Sequence, residues 1–264
     1  MVGGKRRKSG GKRVLGSHQK CWLYGRHAVL ETLRAGWWRP LEVWVADDLE
    51  ADVGEEVKAL AAGLEVDVER RGADELTRRC GGLAHQGLMA KMPPYPYAEV
   101  EAVLEAGGAA PFFLVLDGIQ DPFNFGAILR SADVFGVRGV FVRVEGQSEV
   151  TMQVARSSAG AVNHVRIARV SDLAALLGTL RSRGVKTLAA TGEATQTVGE
   201  CGLTGACAVV IGNEGEGVSE GVLSACDERV RIPQSGHVES LNAAVAAGVL
   251  CYEVQRQRGT GNHA

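Results

Sequence analysis

The chain of 264 residues has no apolar run long enough to span a membrane, and no secretory hydrophobic segment follows its N-terminus. Its six cysteines form no C-x-x-C pair, and its six histidines show no metal-ligand spacing. These absences argue against a membrane protein, a disulfide-stapled secreted domain and a metal centre. We therefore expect a soluble cytoplasmic protein with reduced thiols, no membrane partner and no bound metal.

The nearly balanced formal charge of −2 hides an uneven distribution of charge along the chain. Residues 1–20 carry seven basic side chains and no acidic one, so residues 21–264 carry 22 basic against 31 acidic side chains, a formal charge of −9. A glycine-rich basic tail of this kind captures phosphates without sequence preference. The alternative is a tail that serves solubility alone. The basic residues are Lys5, Arg6, Arg7, Lys8, Lys12, Arg13 and Lys20.

The hydrophobic pattern divides the rest of the chain at a proline-rich stretch, residues 93–97. Residues 21–92 alternate short apolar strands with amphipathic helices and predict a small α/β domain. Residues 98–264 predict an open parallel sheet with helices on both faces. Strands are predicted at 41–46, 64–68, 87–92, 112–117, 139–144, 185–190, 206–211 and 229–232. Helices are predicted at 26–35, 53–62, 73–79, 124–135, 171–183, 219–225 and 240–258.

The first segment that indicates chemistry runs from a buried strand through a polar turn into a helix that we expect to begin at Asn124. Asn124 would cap this helix and turn its side chain towards the strand ends. Arg130 follows among apolar residues, so we expect it to be partly buried. It either serves a site at the strand ends or is a structural arginine tied to a helix end.

A second segment joins an apolar strand to the glycine-rich loop between Gly212 and Gly217. The loop is not a dinucleotide fingerprint, because Glu220 stands where the last glycine would be needed. It is also a poor phosphate cradle, since Glu214 and Glu216 would repel phosphates. A ligand with a cationic centre, or an apolar ligand bound by backbone groups, suits the loop better.

A third segment starts at Ile232-Pro233 and leads through a glycine turn to Ser240, Asn242 and a run of small residues. Serine and asparagine are good helix N-caps, and alanine favours helix while allowing close approach of another backbone. The helix predicted at 240–258 would therefore press against another helix, a second subunit or a ligand. An ordinary core helix is the alternative.

Together the three segments resemble the motifs of the SpoU-type (TrmH-type) RNA ribose methyltransferases of the SPOUT superfamily. The likeness is greatest to the bacterial 23S rRNA guanosine 2′-O-methyltransferase branch and covers about residues 22–258. The motifs are N-x-G-x-x-x-R from Asn124, G-x-E-x-x-G from Gly212, and I-P-x-x-G-x-x-x-S-L-N from Ile232. The chain departs from its relatives at Asn163, where an acidic residue is usual, at Gln234, where methionine is common, and at Phe125, where leucine is common.

The resemblance implies a C-terminal trefoil knot, an N-terminal RNA-binding domain of the L30e/L7Ae ribosomal-protein type, and a homodimer joined through the last helix. It implies S-adenosylmethionine as cofactor and RNA, most of all rRNA, as partner. The implied cofactor-binding residues are Thr191, Gly192, Ile211, Gly212, Ile232 and Leu241. The implied catalytic residues are Asn124, Arg130, Glu214, Ser240 and Asn242.

The residue roles that the resemblance implies leave some alternatives open. Arg130 is the general base of the family's proposed mechanism. A guanidinium has a pKa above about 12, however, which favours a phosphate clamp that stabilises the developing alkoxide. Glu214 is expected to fix Asn124 or Arg130, and Ser240 and Asn242 to cap the helix and face the pocket.

The expected reaction is methylation of a ribose 2′-hydroxyl in 23S rRNA at a guanosine. Another rRNA nucleotide or a tRNA ribose is an alternative substrate. A non-catalytic RNA-binding ribosome-assembly factor is a further alternative, although all five catalytic positions are present. A nucleotide-dependent oxidoreductase is disfavoured, because the dinucleotide fingerprint fails.

Overall fold

The computed structural model describes residues 21–238 and 240–259, so the predicted basic tail, residues 1–20, lies outside the described residues. The described chain forms a four-stranded sheet followed by a six-stranded sheet. None of its helices is both long and apolar enough to cross a membrane. Within the described residues, no three histidine, cysteine, aspartate or glutamate side chains are grouped as metal ligands.

The first sheet has the strand order β1-β4-β2-β3, in which only β2 and β3 run parallel. One face, with Leu23, Val43 and Val45, packs against α1 and α2; the opposite face carries Trp22 and Trp44 beneath α3. The elements are β1 (Trp22–Tyr24), α1 (Arg26–Ala35), β2 (Glu42–Ala46), α2 (Ala51–Gly63), β3 (Val68–Arg71), α3 (Ala73–Arg79) and β4 (Leu88–Lys91).

The second sheet is parallel throughout, with the strand order β10-β8-β9-β5-β6-β7. Its central strands are continuous apolar runs, as expected where helices cover both faces. The strands are β5 (Phe112–Asp117), β6 (Gly139–Arg143), β7 (Ile167–Val170), β8 (Lys186–Ala190), β9 (Cys207–Gly212) and β10 (Glu228–Val230). The helices are α4 (Val100–Glu105), α5 (Pro122–Val134), α6 (Met152–Ser157), α7 (Leu173–Ser182), α8 (Glu220–Ala225) and α9 (Ala243–Arg258), with 3-10 turns at Ala161–Asn163 and Val198–Glu200.

Two apolar clusters show that helices cover both faces of this sheet. Residues of α5, α6 and α9 share one cluster with Phe112, Leu114 and Leu116, and residues of α4, α7 and α8 share the other with Phe113 and Val115. The alternation along β5 sends successive side chains to opposite faces. The predicted α/β class with a parallel sheet and helices on both faces is confirmed.

The two sheets share one apolar cluster, which includes Trp38, Tyr95 and Val162. Polar contacts reinforce this junction: Tyr95 Oη donates to Val162 O at 3.1 Å, and Asn163 Nδ2 donates to Thr32 Oγ1 at 3.2 Å. Deletion of residues 1–92 would therefore expose a common core. The proline-rich segment, residues 93–97, is part of this junction, because Tyr95 belongs to the shared cluster.

Several predicted element boundaries were wrong. The strand expected at 64–68 lies at 68–71, because Glu65 turns the chain with a positive φ of 53° after α2. Helix α5 begins at Pro122 and not at Asn124. Its N-cap is Asp121, whose carboxylate accepts a hydrogen bond from Phe123 N at 3.0 Å. The last helix begins at Ala243 rather than residue 240. Strands β1 and β7 and helices α4 and α6 were not predicted.

Candidate active site

The first and second motifs meet because β5 and β9 are neighbouring parallel strands, which end at the same edge of the sheet. The chain turns after Asp117 and enters α5, and it leaves β9 at Gly212 into the acidic loop. Proline at the first position of α5 fits a helix start, where no backbone donor is needed. Asn124 consequently lies in the first turn of α5 and faces the loop after β9.

A chain of hydrogen bonds joins one residue from each of the three motifs. Asn124 Nδ2 donates to Glu214 Oε1 at 2.6 Å, and Asn242 Nδ2 donates to Asn124 Oδ1 at 3.0 Å. Asn242 Oδ1 accepts from the backbone N–H groups of Ala244 and Val245, at 2.9 and 3.3 Å. These N–H groups fix the orientation of the Asn242 amide, and the carboxylate of Glu214 fixes that of Asn124. The expectation that Glu214 anchors Asn124 agrees with this geometry.

The loop after β9 is held in shape by its own backbone. A Cβ on Gly212 would overlap the backbone of Gly217, which has a positive φ of 71°. Asn213 Oδ1 accepts from the N–H groups of Gly215 and Glu216, at 2.7 and 3.0 Å. The two glycines of the motif therefore allow a tight loop that presents Glu214 and Glu216 to solvent.

Asp117 is a residue of this edge that the sequence reasoning missed. Its carboxylate is 2% exposed and accepts from Ser219 N at 2.7 Å and from Arg143 Nη1 at 3.1 Å. It thereby connects the end of β5 to the far end of the glycine loop. A charged residue that closes an otherwise apolar strand was the available signal, since a buried carboxylate requires partners.

Arg130 and Ser240 are not tied into the hydrogen-bonded chain within the described part of the protein. Arg130 lies on the exposed face of α5, because Ile128, Leu129 and Ala132 take the core positions. Arg130 is six residues, about 9 Å along the helix axis, beyond Asn124. Ser240 is exposed and precedes α9, so only Asn242 caps that helix.

The residues that the resemblance assigns to the cofactor lie mostly at the ends of three adjacent strands. Thr191 and Gly192 follow β8, Gly212 ends β9, and Ile232 follows β10. Thr191 N donates to Val230 O at 2.9 Å, which ties the end of β8 to the end of β10. The side chain of Ile211 is buried in the core, so only its backbone is offered here, whereas Leu241 is 40% exposed.

An exposed apolar strip runs along α5 and α9, two helices that pack on each other. Tyr252 on α9 contacts Phe135 edge-on, with the ring centroids 6.3 Å apart. On α9, Ala243 and Ala247 are buried within the subunit, while Val245 and Val249 are exposed. The strip comprises Phe123, Val134, Val245, Val249 and Tyr252.

Two family patterns together cover the N-terminal module and the parallel sheet with its polar cluster, and both describe RNA methyltransferases. The sequence pattern for RNA 2′-O ribose methyltransferase substrate binding matches residues 22–98. The chain belongs to the SpoU rRNA methylase family, whose pattern matches residues 111–252. The resemblance inferred from the motifs is confirmed.

Similar proteins support this membership along nearly the whole chain. The 23S rRNA (guanosine-2′-O-)-methyltransferases of Vibrio cholerae and Pseudomonas aeruginosa are each 35% identical, over 243 and 239 residues; in both cases the match covers 89% of this chain and 96% of the relative. The fold is that of the SpoU methyltransferase AviRb from Streptomyces viridochromogenes, solved in complex with AdoMet. That structure has a TM-score of 0.77 and 23% identity, and the match covers 91% of each chain.

Proposed function

We propose that this protein transfers a methyl group from S-adenosylmethionine to a ribose 2′-hydroxyl of RNA, and that its target is a guanosine of 23S rRNA. The observation that carries the proposal is the hydrogen-bonded chain Glu214–Asn124–Asn242, which unites the three family motifs at one edge of the sheet. The choice of substrate follows the relatives named above, which are 23S rRNA guanosine methyltransferases.

The strand ends of the second sheet suit this cofactor. The residues that would hold it are Thr191, Gly192, Ile211, Gly212, Ile232 and Leu241, mainly through backbone groups. When bound, S-adenosylmethionine supplies a methyl group carried on a sulfonium cation. The exposed carboxylates of Glu214 and Glu216 favour a ligand with a positive centre over a phosphate at this edge.

Arg130 is placed to act on the RNA rather than on the cofactor. Its side chain is exposed and has no ion-pair partner within residues 21–238 and 240–259, so its five N–H donors are free for a phosphate. We assign it to clamp the phosphate beside the target ribose and to stabilise the 2′-oxygen as its proton leaves to water or phosphate. Direct proton abstraction by Arg130 is the competing assignment. Ser240 is assigned to the same pocket.

The active unit that we propose is a homodimer joined through α9 and the neighbouring part of α5. Val245, Val249 and Tyr252 form an exposed apolar face, and a two-fold interface would bury it twice. Light scattering at micromolar concentration should give the mass of a dimer. A monomeric mass with full activity would refute this assembly.

We further propose that α9 threads a trefoil knot. On one side α9 packs against β9, and on the other Gln257 Nε2 donates to Val198 O while Gln257 Oε1 accepts from Leu203 N. Helix α9 thus runs between the sheet and the segment that joins β8 to β9. Such threading is rare among folds, and this sandwiching supports it.

The N-terminal module, residues 21–92, is proposed as an L30e/L7Ae-like RNA-binding domain that selects the substrate, with residues 93–97 as linker and 98–264 as catalytic domain. The position of the module supports its role in substrate binding, because Arg156, beside α5 of the catalytic domain, contacts Tyr24 of the module. We place the protein in the cytoplasm, where ribosomal RNA would be its substrate.

Two measurements test the proposed function. Calorimetry should show binding of S-adenosylmethionine that a chelator does not change; no binding heat from a folded sample would contradict the cofactor assignment. Ribose methylation mapped in total RNA with and without the gene should differ at one guanosine of 23S rRNA. A difference at another rRNA nucleotide or in tRNA would change the substrate, and no difference would favour a non-catalytic assembly factor.

A further inference from the structure

The second face of the four-stranded sheet carries an unusual layer of arginine side chains over aromatic rings. The rings of Trp22 and Trp44 lie 4.3 Å apart between centroids, and both indoles are at least 95% buried. The guanidinium of Arg79 lies over both rings, at 5.5 and 5.1 Å, and that of Arg71 lies over Trp44 at 5.2 Å. Beside α3, this face therefore carries guanidinium cations over apolar rings.

A third arginine extends this layer to the catalytic module. Arg156 of α6 lies over the ring of Tyr24, 3.9 Å from its centroid, and donates a hydrogen bond to the Tyr24 hydroxyl. Tyr24 is on β1, two residues beyond Trp22, and so faces the same side of the sheet. The next residue after Arg156, Ser157, donates from its Oγ to the carbonyl of Pro122, where α5 begins. We call Arg71, Arg79 and Arg156 the arginine track; it leads from the N-terminal sheet to the helix that carries Asn124.

The charges around the track distinguish it from the rest of the module. Residues 21–92 carry nine basic against thirteen acidic side chains, and most of the basic groups pair with an acid, as Arg26, Arg34 and Arg39 do. Within the described residues, the guanidinium of Arg79 forms neither an ion pair nor a hydrogen bond. Arg71 pairs with Glu69, yet its Nε and the Trp44 Nε1 are buried without a partner. Two guanidinium groups on one indole repel each other, so an anion placed between them would be favourable.

We propose that the arginine track binds the phosphodiester backbone of the RNA substrate and leads the strand to the active site. This inference rests on the proposed function, since it names the surface that would hold that RNA. Guanidinium forks match phosphate oxygens in two-point hydrogen bonds, and stacking on the indoles removes the side-chain freedom that binding would otherwise cost. Contacts of this kind position the strand without reading its sequence.

The test compares RNA affinity over a series of salt concentrations for single and triple arginine-to-glutamine variants, using a fluorescently labelled fragment of 23S rRNA. Each phosphate contact contributes roughly 0.7 to 0.9 to the slope of log affinity against log salt. Each single variant should lower the slope by about that amount and weaken binding about fivefold near 0.1 M salt; the triple variant should weaken it about 100-fold. Arg34→Gln is the matched control, because it removes the same charge from an ion-paired site on α1, and its slope should stay that of wild type.

If loss of Arg79 unfolds the sheet, Arg156→Gln still tests the track. Arg156 lies over Tyr24 and not over the two indoles, so its replacement leaves them covered. In steady-state methylation the track variants should raise KM with kcat unchanged, and their calorimetric affinity for S-adenosylmethionine should stay that of wild type. An unchanged salt slope in the Arg156 variant and the triple variant overturns the track, as does an equal loss in the Arg34 control; an acidic protein partner would produce the first result. If the slopes fall as expected but no variant and no wild-type sample methylates RNA, the track stands and the proposed methyl transfer fails.

Discussion

The junction between the two sheets and the carboxyl edge of the second sheet differ in whether their polar side chains face the chain itself or solvent. At the junction, polar groups bond within the chain: His27 Nε2 lies 3.1 Å from Ala159 O, and Thr32 Oγ1 accepts from Asn163, although the Oδ1 of Asn163 is left without a partner. At the carboxyl edge, Arg130 and Ser240 face solvent. Polar groups at the junction stabilise the fold; at the edge Asn124 and Asn242 are also bonded within the chain, but Arg130 and Ser240 remain available to ligands.

Helix α5 belongs to both regions, which makes the comparison open to experiment. One side presses Gly126 against the end of α6, where a Cβ would lie 2.8 Å from Ser157 Cβ and 2.9 Å from Ser158 N. The open side, which adjoins Gly126 on the helix surface, exposes Phe123, Arg130 and Val134. Substitutions on the open side should change activity with little effect on stability, and substitutions on the packed side should do the reverse.

The largest expected effect is loss of turnover on the open side. Arg130→Ala should lower kcat by about 100- to 1,000-fold, the usual result of removing one preorganised donor from a developing oxyanion. Arg130→Lys should recover little, because a point charge does not reproduce a guanidinium fork. The measurement is methyl transfer to 23S rRNA under single-turnover conditions, with calorimetry to show unchanged cofactor affinity. Arg138→Ala, at another exposed arginine, is the control; near-normal turnover of the lysine variant would remove Arg130 from the site.

On the packed side we expect a loss of stability. Gly126→Ala should lower the free energy of unfolding by about 1–3 kcal/mol, because the added methyl overlaps the end of α6. Gly178→Ala in α7 is the matched control: its Cβ meets nothing within 4 Å, so alanine should stabilise that helix by about 0.5–1 kcal/mol. Chemical denaturation measures both, and equal results for the two variants would contradict the close packing of α5 on α6.

Two substitutions of Asn242 distinguish its effect on stability from its effect on activity. Asn242→Ala should cost about 1 kcal/mol through loss of the α9 cap, and activity should fall as well. Asn242→Asp keeps an acceptor for Ala244 N and should preserve the melting temperature, but it sets a carboxylate against Asn124 Oδ1 and should lower kcat about tenfold. Full activity of the aspartate variant would show that the hydrogen bond to Asn124 is dispensable.

The smallest expected effect is a pH-dependent one at the junction. The hydrogen bond from Arg34 lowers the pKa of Glu31, so the carboxylate stabilises the fold above its unfolded pKa of about 4.3 and loses this effect as pH falls through the lowered value. Glu31→Gln should therefore cost a few tenths of a kcal/mol at pH 7, the usual scale for a solvent-accessible pair, and nothing in strong acid. Thermal melts across the acid range measure the difference, and a cost that persists below both pKa values would exclude this origin.

The sequence alone was most informative where the hydrophobic pattern is long and regular. The predicted strand 112–117 and helices 26–35 and 73–79 coincide with β5, α1 and α3. Strand β7 was missed because it is only four residues long and contains Arg169, and α6 was missed because six residues give less than two turns of pattern. At α5 the expected cap was Asn124, but Pro122 at the first helical position identifies Asp121, three residues earlier, as the cap.

The candidate site depended more on the resemblance than on the hydrophobic pattern. Asn124 is 90 residues from Glu214 and 118 from Asn242, so spacing alone does not bring them together. The exposure of Arg130 depends on which side of α5 the rest of the chain covers, and the partners of Asp117 are Ser219 and Arg143, 102 and 26 residues away. These are consequences of the order of strands in the sheet.

Asn242 caps the last helix, and its side-chain amide also completes the hydrogen-bonded chain by donating to Asn124. During translation the residues of both sheets emerge before this asparagine does. A polypeptide interrupted ahead of residue 242 would contain every strand of both sheets, but it would lack α9, whose Ala247, Leu250 and Val254 fill the core on one face of the second sheet. The last residues to be synthesised therefore complete the core and the hydrogen-bonded chain together.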